Sequence, residues 1–469
     1  MLTDEKTASA LILLKQGVSP SLAAKRTESV AFQCLNGTLR CTNKVFTCLA
    51  GVSLSGFDAF SDYLKMLRTP FTKICRLRFL RPDGSTAYAL DNSPRNKRNR
   101  AFIADGNLTV NLQNGMRRTA TVTVWNADGE FDYAVGKLWY GQEVALDEGL
   151  ILSDGTEFYI QQGVFVMKDP ESALAPASNI VKLSLVDKWA SLDGTLRGGL
   201  IATHQIPVGT NVYAPITTIL DADRGNGLPV DNTAPVYTLY YDDKTQTLPD
   251  GTSVKLTDTP YTITIDSESG TDAEIILALA ETLNAWVGYD TFGHLRVDPS
   301  QDDVDDQEKA LIWEFSTEET TLLGMTYRAQ NTAVYNDYIV TGEQLENYTQ
   351  PSARVMNLDP ASATNVNLIG RKTFRESKSG YVTDEQCRDY AMWKLKRSAV
   401  LQNSVTIQCA QILHMEENKL VSIARTDKTG SPRELHLVTG FTRPLASDGA
   451  MQITATSVAD LPTGTLIQK

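Results

Sequence analysis

Hydrophobic and polar residues alternate along two separated stretches of this chain, and the second stretch echoes the first. The first contains Thr121-Val122-Thr123-Val124-Trp125, Gln142-Glu143-Val144-Ala145-Leu146, Glu157-Phe158-Tyr159-Ile160-Gln161-Gln162-Gly163 and Lys182-Leu183-Ser184-Leu185-Val186. The second contains, in the same order, Ser404-Val405-Thr406-Ile407-Gln408, Lys419-Leu420-Val421-Ser422-Ile423, Glu434-Leu435-His436-Leu437-Val438-Thr439-Gly440 and Gln452-Ile453-Thr454-Ala455-Thr456. A period of two is that of a strand with one buried face. The two middle segments recur at a constant offset of 277, the separation of Glu157 and Glu434. The pattern predicts one four-strand module used twice, with only the surface turns changing length. A shared register would keep equivalent side chains on one face, so Gly163 is expected over Gly440 and Glu157 over Glu434.

The remaining pattern divides the chain into four parts. Alternation in Cys75–Leu80 and Leu108–Leu112, with turns at Pro82-Asp83-Gly84, Asp128-Gly129 and Asp154-Gly155, extends the first module into a β domain over residues 73–192. Over residues 193–323 the period changes. There a helix is expected from Asp272 to Val287, capped by Thr271 with Glu274 in capping-box spacing. Ile275, Ile276, Leu279, Leu283 and Trp286 share its apolar face, Gly288 closes it, and Tyr289–Val297 follows as a hairpin turning at Gly293. This inserted α+β domain needs a neighbour to cover its apolar face. Residues 324–469 carry a strand at Asp337–Gly342, a helix at Asp384–Arg397 capped by Thr383 with Gln386, and the second β module. Residues 1–72 read as an N-terminal arm or docking region, with a helix from Thr3 to Gln16 ending at Gly17 and a second candidate from Asp58 to Leu67. Strands are possible in that region around Ala31–Leu35 and Val45–Leu49. Lys469 comes soon after the last strand, so no appended catalytic domain is expected. The fold class is α+β, mainly β: two β-barrel modules, an inserted α+β domain and an N-terminal helical arm.

Composition narrows the function. A chain of 469 residues suggests roughly three or four domains, and 42% hydrophobic with 21% charged residues is ordinary for a folded protein. The net charge of -12 disfavours a protein whose task is to grip phosphates, so specific nucleic-acid binding is not expected. The basic cluster Arg95, Lys97, Arg98 and Arg100 reads as a solvated or subunit-facing loop. The acidic run Asp302, Asp303, Asp305 and Asp306 lacks the glycine and terminal glutamate of a calcium loop and reads as a solvated linker. Apolar runs such as Ala10–Leu14 are too short to cross a bilayer, and no signal segment precedes that one, so synthesis in the cytoplasm is expected without a membrane span.

No motif in the sequence carries chemistry. Cysteines at 34, 41, 48, 75, 387 and 409 form no paired metal knuckle and are expected to be reduced and mostly buried. Gly251-Thr252-Ser253-Val254-Lys255 lacks the upstream glycine of a phosphate loop, and Gly51-Val52-Ser53-Leu54-Ser55 lacks the last glycine of a nucleophile elbow. His204, His294, His414 and His436 are scattered, and Glu318-Glu319 or Glu416-Glu417 gain nothing from adjacency, because neighbours in a strand face opposite ways. No catalytic, cofactor-binding or metal-ligating residue is expected, no cofactor, and no enzymatic activity.

The combination resembles a family, the central hub proteins of bacteriophage tails and related contractile injection machines. The resemblance rests on Met116–Leu192, with Leu138-Trp139-Tyr140-Gly141-Gln142-Glu143-Val144, Gly163-Val164-Phe165-Val166 and Leu183-Ser184-Leu185-Val186-Asp187. It continues in Ala280-Glu281-Thr282-Leu283-Asn284-Ala285-Trp286 leading to Phe292-Gly293, and in the helix before the second module, covering roughly residues 73–460. It implies two tail-tube-like barrels per subunit and a homotrimeric ring of six barrels. That ring would join a sixfold tail tube or distal tail protein, and the tape measure protein, to a threefold spike or fibre complex, leaving a channel for DNA. It implies a virion tail-tip or baseplate location after assembly in the host cytoplasm. A distal tail protein or other tail-tip structural protein would need only one barrel per subunit, which the repeat disfavours. A tail-associated lysin would need convergent catalytic side chains. The first 70 residues have no obvious counterpart in the resemblance, and a fused peptidoglycan hydrolase is not expected.

Overall fold

A computed structural model describes the backbone of residues 33–35, 38–41, 44–47 and 54–468, apart from short stretches at 96–100, 128, 133–137, 139–140, 176–177, 224, 226, 249, 269, 302, 305–310, 318, 329–333, 347, 379, 399–403, 425–432, 447–448, 459–461 and 463–464. The helix expected at Thr3–Gln16 and its Gly17 stop lie outside the described residues, as do Lys97, Arg98, Arg100, Asp302, Asp305 and Asp306.

Among the described residues thirteen strands form one sheet. Seven belong to the first module: β1 Lys73–Leu80, β2 Thr86–Asp91, β3 Ala101–Asn111, β4 Arg118–Asn126, β5 Glu143–Ile151, β6 Glu157–Ala175 and β7 Ser178–Asp187. Six belong to the second: β8 Leu311–Ser316, β9 Leu322–Arg328, β10 Ser404–Cys409, β11 Leu420–Ala424, β12 Glu434–Pro444 and β13 Met451–Ser457. Hydrogen bonding orders the first module β3-β4-β7-β6-β5-β1-β2 and the second β9-β10-β13-β12-β11-β8. The repeat seen in sequence is therefore a repeat of topology: β4, β5, β6 and β7 correspond to β10, β11, β12 and β13.

The finer register expected from the constant offset does not hold. Gly163 pairs with Leu146 on β5, whereas Gly440 pairs with Thr454 on β13 and Asn111 on β3. Glu157 and Glu434 both begin their strands, but opposite Ile151 and Ile423, which the 277 offset does not relate. The turns differ in length, with five residues between Ile151 and Glu157 and ten between Ile423 and Glu434, and bulges shift the register further along the strands. Gln162 is the extra residue of β6 against β5, and Asp169, with φ of 42°, marks a second bulge against β7. β12 has its bulge at Thr439, against β13. An extra residue in a ladder breaks the link between sequence spacing and pairing. The sixth strand also differs, since β1 runs antiparallel to β5 while β8 runs parallel to β11.

The strands do not close into barrels. β2 approaches β3 without pairing with it, and the two modules instead join edge to edge through β3 and β12, from Gly440 opposite Asn111 to Pro444 opposite Asn107. One hydrophobic cluster runs through both modules, from Leu77, Ile103 and Phe165 to Phe315, Ile407 and Ile453. Helix α1, Leu54–Met66, packs Phe60 and Tyr63 onto it.

A second cluster fills the region between the modules in sequence. Helix α2, Tyr213–Asp221, and helix α3, Asp272–Thr282, contribute Ile216, Ile275, Ile276 and Leu279. Thr271 caps α3 as expected, its hydroxyl accepting from the Glu274 amide at 3.2 Å. The helix stops five residues short of the expected Val287. Asn284 takes a φ of 51°, which breaks the helix, and Trp286–Tyr289 becomes a strand paired with Leu295–Asp298. Val287 and Tyr289 in that strand are buried, and β-branched and aromatic residues suit it. Gly288 thus sits in a strand rather than at a helix end, where a Cβ would stand 2.4 Å from Nε of Arg117. A third cluster is built on helix α4, Asp384–Ser398, against the strands Asp337–Thr341 and Ser352–Asn357. Its capping box is reciprocal: Thr383 Oγ1 accepts from the Gln386 amide, and Gln386 Oε1 accepts from the Thr383 amide, both at 3.2 Å.

Candidate functional site

The most concentrated chemistry in the molecule lies where the two modules meet. β12 brings Arg443 across the joint into the interior, where it is fully buried. Its Nη2 stands 2.5 Å from Oε2 of Glu148 on β5, and Lys73 on β1 reaches Oε1 of the same carboxylate at 2.6 Å. Arg443 also donates to the Ile412 carbonyl at 2.7 Å and to Gln162, the bulge residue of β6. Gln162 donates onward to the carbonyls of Ile160 and Leu413. Lys73 donates to Gln411 and to the Pro444 carbonyl. Burial pushes the Lys73 ammonium below its usual range, with Glu148 resisting and Arg443 reinforcing that shift. Two cations around one carboxylate therefore hold β1 and β5 to β12 and to the segment before β11.

A second buried group lies beside it. Arg118, at the start of β4, pairs with Glu417 at 2.5 Å and donates to the Gln162 carbonyl at 3.2 Å, while Arg117 stands 3.7 Å from Glu417. Both backbone amides, of Arg117 at 2.7 Å and Arg118 at 3.0 Å, donate to Oδ2 of Asp187, and the Trp189 amide donates to its Oδ1 at 3.1 Å. Desolvation outweighs these bonds and pushes the Asp187 carboxyl up to about 6. Lys188 extends the network into the inserted region through Asp231, Thr233 and the Gly293 carbonyl.

Each ion in this seam has an opposite charge or several hydrogen bonds, the condition under which charge can be buried. The arrangement can lock elements together. Among the described residues no group of three or more His, Cys, Asp or Glu could hold a metal ion. The adjacent Glu416-Glu417 pair, to which sequence gave no weight, proves to be part of the lock, with Glu417 buried between two arginines.

The other singled-out residues are dispersed. His414 Nδ1 shares a hydrogen bond with the Tyr63 hydroxyl at 2.8 Å, tying α1 to the seam. His436 is buried near Glu434, and burial holds its imidazole below the ordinary value. His294 Nδ1 lies 2.9 Å from the Ala234 carbonyl. Cys75, Cys387 and Cys409 are free and buried, and burial pushes the Cys409 thiol up to about 12 and that of Cys387 up to about 11. Arg95 lies on the Gly155 carbonyl of the same chain. Asp303, expected in a solvated linker, instead pairs with Lys396 at 3.4 Å and Arg397 at 3.5 Å on α4. A cleft of about 680 Å³ opens between α4 and the inserted region, lined by Tyr240, Gln246, Gln386, Tyr390 and Trp393. Among the described residues no helix is long and apolar enough to cross a membrane.

No family model and no curated protein matches the sequence. Solved structures do match the fold. The 43 kDa tail protein of prophage MuSo2 from Shewanella oneidensis aligns with a TM-score of 0.53 at 12% identity, over 82% of this chain and 98% of that one. The tail protein from Neisseria meningitidis MC58 aligns with a TM-score of 0.53 at 10% identity, over 84% of this chain and 98% of that one. This chain has the fold of these tail proteins. The α+β, mainly β architecture expected from the sequence resemblance is thus shared with tail proteins along almost their whole length, although the strands of each module here stay open rather than closed.

Proposed function

We propose that this chain is the structural hub of a phage tail tip or baseplate. Three copies form a ring of six strand modules, alternating first and second, which docks on a sixfold tail tube or distal tail protein and presents a threefold face to a spike or fibre complex. The tape measure protein and then DNA pass through its centre, and the assembly resides at the virion tail tip after being built in the host cytoplasm. Residues 73–192 serve as the first tube-like unit and 324–469, joined by the strands β8 and β9 that begin at Leu311, as the second, while the rest of 193–323 is an insert and 1–72 a docking arm. The chain acts by assembly and not as an enzyme. The observation that carries this reading is the repeated module welded edge to edge within one chain through β3 and β12, together with the tail-protein fold. Two similar but non-identical modules per subunit give a trimer six docking surfaces while keeping threefold identity. The acidic balance of the chain suits a channel that DNA must leave, since phosphates find few cations to displace. Electron cryomicroscopy of the assembled tail, or native mass measurement of the isolated ring, is expected to find three copies of this chain beside a six-copy ring. Six copies in one ring would favour the distal-tail alternative.

A further inference from the structure

The internal joint is a template for the joint between copies. Along β12, one edge is shared in sequence by two strands: β11 covers Glu434–Leu437, and β3 then covers Gly440–Pro444, beyond the Thr439 bulge. β6, the counterpart of β12, has the same layout with one strand missing. β5 covers its edge from Glu157 to Val166, and the Met167 amide still reaches the Gln142 carbonyl at 3.2 Å. Beyond the Asp169 bulge, β6 pairs only with β7, and no strand among the described residues flanks its other edge from Glu171 to Ala175. β9, the counterpart of β3, ends the sheet at the far side of the second module and pairs only with β10. Both halves of that joint therefore recur unpaired, as the β6 edge at Glu171–Ala175 and the outer edge of β9.

Side chains at these two edges match. Leu174 on β6 is 82% exposed and Leu323 on β9 is 61% exposed, unusual for large hydrophobics. Glu171 and Arg328 are exposed at the opposite ends of the same segments. In an antiparallel pairing set with Glu171 opposite Arg328, Ala173 falls opposite Thr326 and Leu174 opposite Met325, next to Leu323. Acid meets base, and apolar meets apolar.

We infer that β9 of one copy pairs antiparallel with the Glu171–Ala175 half of β6 in the next copy. This rests on the ring reading above and names the strands that close it. The contact is head-to-tail, so it makes a ring if the rotation closes and a filament if it does not. It also covers two strand edges that would otherwise template aggregation.

The test uses the full chain. Ala173→Cys and Thr326→Cys are made singly and together, oxidised, and compared on a non-reducing gel, beside native mass measurement of Leu174→Asp. Mixing the two single variants should give a covalent dimer and nothing larger. The double variant should give a species of three chains that no longer grows. Leu174→Asp should weaken association by roughly tenfold or more with an unchanged melting temperature, because Leu174 packs on little within its own chain. Arg328→Glu should weaken it too, and Glu171→Lys with Arg328→Glu should restore it. A wild-type mass of three copies that Leu174→Asp leaves intact, with no cross-link in the mixture, would overturn the strand assignment and leave the trimer standing. A wild-type chain of single-copy mass at every concentration, without cross-links, would overturn both.

Discussion

Replacing Arg443 with methionine isolates the seam between the modules. The side chain is fully buried, stands 2.5 Å from Glu148, and donates to Ile412 and Gln162. Methionine fills similar space without charge or donors. Glu148 then keeps Lys73 alone, and the Ile412 carbonyl and Gln162 amide oxygen lose a donor. Deleting one partner of a buried pair costs about 3–5 kcal/mol, because the other charge remains out of water. Part of that is offset, since Arg443 helps depress the Lys73 ammonium and its removal leaves Lys73 a better partner for Glu148. The loss should thus fall in the lower half of the range. Urea unfolding followed by far-ultraviolet circular dichroism and by tryptophan fluorescence would measure it as a fall in midpoint. The two probes should also separate if the seam couples the modules, since coincident transitions require cooperative unfolding. Arg68→Met serves as the control. Its pair with Glu319 at 3.2 Å leaves Arg68 60% exposed, and such a pair contributes less than about 1 kcal/mol. If Arg443→Met lowers stability no more than Arg68→Met, the seam is not holding the modules together.

Other consequences can be tested alongside. The Asp187 carboxyl titrates near 6 when folded against 3.8 ordinarily, so between those values the folded state holds the proton more tightly. Its contribution is full below pH 3.8 and is lost as pH rises through 6, by up to about 3 kcal/mol. Melting temperatures of wild type and Asp187→Asn should therefore converge or cross as pH rises through that window, and parallel curves would contradict the assignment. Gly106→Ala would set a Cβ 2.5 Å from the Thr121 carbonyl and 2.9 Å from Leu445 Cδ1, and should destabilise by about 1–3 kcal/mol in a thermal melt. Thr271→Ala removes the cap of α3 and should cost about 1 kcal/mol in the urea midpoint. On a peptidoglycan zymogram the purified chain should clear no band; a band abolished by mutating one carboxylate pair would show a lysin.

Much of this fold could be read along the chain because its signals are local. The alternation in Thr121–Trp125 and Ser404–Gln408 announces β4 and β10, since one face of each strand must be apolar wherever the sheet lies on a core. Thr271 with Glu274 and Thr383 with Gln386 mark helix starts, because a cap satisfies amides three residues away. Where helix and strand periods compete, local reading fails: Trp286 and Val287 continue the apolar face of α3 equally well, and only pairing with Asp298 and Val297 makes them a strand. The seam was illegible for a different reason. Lys73, Glu148, Arg443 and Glu417 are ordinary charges in sequence, and residues hundreds of positions apart become partners only when β3 and β12 join. The same holds for register. The repeat of four strands is written in the order of apolar segments, but the unequal turns before Glu157 and Glu434 and the bulges at Gln162, Asp169 and Thr439 decide which residue faces which. The sequence by itself determined which segments would be strands and that they come as a repeated set, because side-chain alternation is a property of each segment. Tertiary structure alone decided that the modules fuse through an open edge and bury a set of paired charges there, because pairing and desolvation depend on what the rest of the chain brings alongside.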